Sequence, residues 1–120
     1  MAKDDYDVIV YRILVYLYGC KRRQIMYEKD VFDKTVHREV NNDYFNDILQ
    51  MMQEEDLIRG LSIIGTWQGD KIIVSDMGDL EITAKGIHYL EDNDKMKKVG
   101  QMLKETVDTI AKLAGILMLS

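Results

Sequence analysis

Residues Asn41 to Trp67 read NNDYFNDILQMMQEEDLIRGLSIIGTW, and the change of hydrophobic period within this stretch decides the fold. Phe45, Ile48, Leu49 and Met52 fall at i, i+3, i+4 and i+7, on one face of an α-helix. Asn41 or Asn42 is placed to cap its start, and Asp43 in the first turn suits the positive end of the helix dipole. The helical pattern ends near Asp56. Leu57 to Trp67 is rich in β-branched and aromatic residues and reads as a strand. Gln68, Gly69 and Asp70 supply a turn, and Lys71-Ile72-Ile73-Val74-Ser75 returns as a second strand.

Helix, strand, turn, strand is the centre of a winged helix-turn-helix, an α+β fold of three core helices and a β-hairpin wing. Two further helices are expected before it. Asp4 or Asp5 caps the first, whose apolar stripe is Tyr6, Ile9, Ile13, Tyr16 and Leu17, widened by Val10 and Leu14. Its tyrosines are expected at the rim of the core. Gly19 stands where a helix-ending glycine belongs. Asp30 to Arg38 reads as a short second helix capped by Asp30, with Phe32 and Val36 inward and Lys34 and Arg38 on another face. His37 is expected at the surface or rim.

After the wing, Leu80 and Ile82 alternate as a short strand. Thr83 then caps a helix that buries Ile87 and Leu90. Gly86 lowers the propensity of that helix, so close approach to another element is its expected purpose. This apolar-Thr-x-Lys-Gly-x-x-Tyr-Leu segment, following a hairpin, resembles bacterial winged-helix regulators of the MarR and PadR type. In element order and length the chain is most similar to the YjcQ-like family, small winged-helix proteins of Gram-positive bacteria and their phages. The resemblance runs from Asp5 to Asp92 and is sharpest over Asn41 to Leu57 and Ile82 to Leu90. Cys20 to Val40 is longer and more basic than the family pattern. The resemblance implies a fold more firmly than a function.

The winged-helix domain is thus expected over residues 1–92, and residues 93–120 form an added C-terminal helix capped by Asn93 or Asp94. Met96, Val99, Leu103, Thr106, Ile110, Leu113 and Leu117 make a heptad seam. The flanking positions are mostly apolar, too wide for a simple zipper. The helix either folds back on the first helix or pairs with a second copy. By analogy with winged-helix regulators, a homodimer through Val99, Leu103, Ile110, Leu113 and Leu117 is the preferred expectation.

Composition narrows the function. One hundred and twenty residues with a net charge of -5 exclude a general nucleic-acid-coating protein, although not a local basic patch. A single cysteine, Cys20, allows no internal disulfide and fits a cytoplasmic setting. No apolar signal segment and no membrane-length apolar run are present in the sequence. No phosphate-cradling glycine loop or metal-spaced His/Cys set occurs, so no cofactor, no metal and no enzyme activity are expected. Two functions remain. In a phage- or prophage-type DNA-binding transcriptional regulator, Lys21, Arg22, Arg23, Lys34 and Arg38 hold phosphates of double-stranded DNA, joined by Arg59 and Lys71 on the wing. Asn46, Gln50 and Gln53 on the third helix read bases. Against this, residues 41–56 hold five acids and no Lys or Arg, which a DNA groove repels. In the second function the same fold is a protein-interaction module that docks a partner through the acidic third helix.

Overall fold

A computed structural model describes residues 5–65, 71–73 and 79–103. Among the described residues, five α-helices and two small antiparallel sheets make an α+β arrangement. Its hub is the first helix, α1 (Asp5–Lys21), rather than the stretch from Asn41. Ile9, Val10, Ile13, Leu14, Val15, Tyr16 and Leu17 are each no more than 2% exposed. Residues so closely spaced point to most sides of a helix, so α1 is covered over most of its circumference, with Arg12 half-buried. Tyr16, expected at the rim, is fully buried, and Tyr11 is also in the core. The amphipathic stripe was a partial view: the polar-looking tyrosines extend the apolar surface.

Gly19 does not end α1. Cys20, half-buried against the core, keeps the helix going to Lys21. The end is a turn in which the Gln24 N–H donates to Gly19 O (3.0 Å) and the Arg23 N–H to Cys20 O (3.1 Å). Arg23 takes the left-handed conformation (φ 63°) that this motif usually gives to glycine.

The second helix departs from expectation at both ends. The helix α2 (Lys29–Phe32) is preceded by Glu28, which makes no side-chain cap, so Asp30 lies in the first turn and is not the cap. From Asp33 to His37 the chain widens into a π-helical turn, closed by the Arg38 N–H on Asp33 O (2.7 Å). Val31, Phe32, Thr35 and Val36 are buried, and the Thr35 hydroxyl donates to Val31 O (2.7 Å).

The helix α3 (Asn42–Glu54) is as expected. The Asn41 side chain accepts from the N–H groups of Asp43 (2.9 Å) and Tyr44 (3.1 Å), and Phe45, Ile48, Leu49 and Met52 are buried. It too ends in a turn with a left-handed non-glycine residue, Asp56 (φ 62°).

The single strand expected over Leu57 to Trp67 is two strands. The first, β1 (Ile58–Arg59), stops at Gly60, whose φ is 106° and where a Cβ would sit 2.1 Å from the Asp79 carbonyl oxygen. The second, β2 (Ile63–Gly65), pairs with β3 (Lys71–Ile73) as a hairpin in the register Ile63↔Ile73. Meanwhile β1 pairs with β4 (Glu81–Ile82), matching Ile58 to Ile82 and Arg59 to Glu81. Trp67 and the turn Gln68-Gly69-Asp70 lie outside the described residues.

Thr83 caps the helix α4 (Ala84–Asp92) through Gly86 N–H (3.0 Å) and also donates to Asp56 O. Gly86 is where the backbone of Leu57 approaches: an added Cβ would lie 2.1 Å from Leu57 O. Ile87 and Leu90 are half-buried against the core. Asn93 caps the helix α5 (Asp94–Leu103) by accepting from Lys95 and Met96 N–H. This helix folds back on α1 and α4. Val99 is buried against its own chain, and Leu103 is partly so, which is the fold-back alternative for this part of the helix. The rest of that seam (Ile110, Leu113, Leu117) lies outside the described residues. Among the described residues, no helix is long and apolar enough to cross a membrane.

Candidate functional site

Two surfaces gather the expected functional residues, and they carry opposite charge. The first is a basic corner where α1 ends beside the β1–β4 pair. Antiparallel pairing sets Arg59 opposite Glu81, and Arg59 Nε lies 2.9 Å from Glu81 Oε2. Lys21 Nζ reaches the other oxygen at 3.7 Å. The Arg59 hydrogen bond, and then the Lys21 charge, hold the Glu81 carboxyl below the usual carboxylate range. Two residues far apart in sequence therefore meet on one carboxylate, and that carboxylate offsets part of their charge. Beside them, Arg22 lies over the Tyr18 ring (5.5 Å to its centroid). Arg23 is exposed, and among the described residues it makes no ion pair.

Two more of the expected cations lie in and just after the π-helical turn. Lys34 is exposed, while Arg38 Nε donates to Thr35 O (3.1 Å). Between this turn and α3, His37 stacks on Phe45 (centroids 4.2 Å apart, 6° between planes), and its Nε2 donates to Val40 O (2.9 Å). His37 thus orients the entry to α3. The backbone of Lys71 belongs to β3.

The second surface is the outer face of α3. Asp43, Asp47, Met51 and Glu54 follow one another at helical spacing, and all four are exposed. Met51 keeps 39% of its surface open in the middle of this acidic stripe. Among the described residues, no cation pairs with Asp43, Asp47, Glu54, Glu55 or Asp56. The three amides expected to read bases sit at the side of the stripe, half-buried. Gln53 is clasped to the chain after β1: its Nε2 donates to Leu61 O (3.1 Å), and its Oε1 accepts the Leu61 N–H (2.8 Å). Gln50 donates to Glu54 (3.0 Å). Asn46 is the one of the three whose side chain has no hydrogen-bond partner among the described residues.

The chain belongs to the YjcQ protein family. The family model, described as "YjcQ protein", matches residues 11–109. That span takes in the YjcQ chain's hub helix from Tyr11 onward, both surfaces and α5 (Asp94–Leu103). The chain matches no curated protein and no solved structure.

The Glu81 convergence was missed in the sequence. Its signal was present, because Ile58 and Ile82 are both apolar and flank the two partners. A two-residue strand is too short to announce its pairing, however. The Gln53 clasp depends on how Gly60 redirects the chain, which spacing does not reveal.

Proposed function

We propose that this YjcQ-family chain is a non-enzymatic winged-helix module that docks a cationic protein partner through the outer face of α3. The supporting observation is the exposed Asp43–Asp47–Met51–Glu54 stripe, acidic, unmatched by cations among the described residues, and centred on an exposed methionine. An amphipathic lysine-rich segment offers the matching chemistry: charge for the carboxylates and an apolar residue for Met51, whose flexible thioether adapts to varied contacts.

Magnitudes favour this over groove reading. A carboxylate about 4 Å from a phosphate is repelled by about 1 kcal/mol in water and by about 4 kcal/mol at an effective dielectric of about 20. Three exposed carboxylates would enter the groove together. A good bidentate base contact is worth about 1–3 kcal/mol, and only Asn46 has an uncommitted amide for one. The repulsion wins.

The second reading is a phage- or prophage-type DNA-binding regulator. The observation favouring it is the convergence of Lys21 and Arg59 on Glu81 beside Arg22 and Arg23. In that reading the corner holds phosphates and Asn46 reads a base, while Gln50 and Gln53 brace α3.

The variant Asp43→Asn/Asp47→Asn/Glu54→Gln separates the two. Titration with a lysine-rich amphipathic helical peptide, followed by calorimetry, should show binding to the wild type and a loss of about tenfold or more in the variant. A variant that binds the peptide as tightly as the wild type would remove α3 as the docking face. A variant that gains salt-sensitive duplex binding with unchanged peptide affinity would favour the DNA reading.

A further inference from the structure

The end of α1 also roofs a cleft, separate from the stripe on α3. Its volume is about 340 Å³, at the lower end of the range for small-molecule sites, about 300–1,000 Å³. Leu17 and Leu80 line it together with Ile25 and Tyr27, and Met26, 72% exposed, also borders it. Cys20 opens onto the cleft, and Lys21, Arg23 and Glu81 line its lip.

The charges at the lip are not equivalent. Glu81 is already matched by Arg59 and Lys21. Arg23 is left over, and among the described residues no carboxylate pairs with it. Its backbone is fixed by the turn that ends α1, where its own N–H is bonded to Cys20 O. The Arg23 main chain is thereby held beside a cleft whose lining is part apolar and part charged. The apolar part of the lining is three aliphatic side chains, Leu17, Ile25 and Leu80, with the Met26 thioether, and these suit a short hydrocarbon chain beside the charged part.

We propose that this cleft binds a small aliphatic carboxylate, its chain lying on Leu17 and Leu80 and its carboxylate meeting the Arg23 guanidinium. The site is independent of the α3 docking face, and neither requires the other.

Cys20 is the only cysteine of the chain, so its thiol reports on the cleft alone. Burial pushes that thiol up to about 11, so its alkylation is slow and any further shielding is readily measured. The experiment follows iodoacetamide modification of the intact protein by mass spectrometry at about pH 9, where a small thiolate fraction exists. Octanoate is added below its micelle concentration, and octanol and octylamine serve as matched probes without the negative charge.

Octanoate is expected to slow alkylation saturably, with octanol and octylamine clearly weaker. In Arg23→Glu, with folding confirmed by circular dichroism, the octanoate concentration for half-protection should rise about tenfold. Met26→Glu, which adds a negative charge at the mouth, should act in the same direction. No protection by octanoate would overturn the proposal. Equal protection by all three probes would overturn the carboxylate assignment, as would an Arg23→Glu protein protected as well as the wild type.

Discussion

Tyr16 shows how one buried hydroxyl ties stability to pH. It has no exposed surface, and its ring meets Tyr27 and Phe32 edge-on, with centroids 6.2 and 5.3 Å away. Its oxygen accepts the Glu28 N–H at 3.2 Å, which anchors the chain entering α2. Burial pushes its phenol from 10.0 up to about 12. The folded state therefore keeps a proton that the unfolded chain releases from about pH 10, so stability falls as pH rises from about 10 to about 12. Below pH 10 both states are protonated and the effect is absent. The Cys20 thiol, pushed up by burial to about 11, acts in the same direction from about pH 9. We expect the midpoint of urea unfolding to drop over this range, with Tyr16 contributing on the order of 2 kcal/mol. Tyr16→Phe should flatten the profile above pH 10 while losing about 1 kcal/mol at neutral pH for the orphaned Glu28 N–H. A wild-type midpoint that stays level through pH 12 would contradict this account. Some residues at this scale were legible and others were not. Gly86 was, because a glycine inside a helix needs a reason, and the Leu57 carbonyl supplies it. Arg23 and Asp56 were not, because their left-handed backbones are imposed by the turns that close α1 and α3.

Among the elements, α3 was the most legible, since its cap and its four buried residues all obey one period. The short strands were the least. A two-residue strand such as β1 carries no alternation of its own, and its partner β4 lies across the hairpin. The π-helical turn was equally hidden: it keeps Phe32 and Val36 inward, so the apolar spacing looks like an ordinary helix. The Gln53 clasp on Leu61 binds α3 to the chain leaving β1, and it makes Gln53 a bracing residue. Gln53→Ala should therefore lose about 1–3 kcal/mol of unfolding free energy, because both main-chain groups of Leu61 lose partners in a half-buried place. Chemical denaturation measures this. A variant as stable as the wild type would return Gln53 to the outer face as a free amide.

For the molecule as a whole, the sequence pointed to α3 and the wing as the centre, whereas the centre is α1. Its tyrosines and β-branched residues disguise a helix buried over most of its circumference. The last helix was legible as apolar and amphipathic, but its heptad spacing did not distinguish packing in its own chain from pairing with a second one. Met96 and Val99 are buried within their own chain. Charge is also distributed at this scale: cations gather at the end of α1 and beside β1, while acids line α3 without cationic partners among the described residues. The central claim is that α3 is a docking face for protein and not a groove-reading helix. The most direct test is an amide-resolved nuclear magnetic resonance titration of the full chain with a mixed-sequence duplex of about 30 base pairs, at low and at physiological salt. The account predicts that the amides from Asp43 to Glu54 stay in place, and that any shifts are confined to Lys21–Arg23 and β1 and vanish as salt rises. Saturable shifts along Asp43, Asp47, Met51 and Glu54 that persist at physiological salt would contradict it and make α3 the recognition helix.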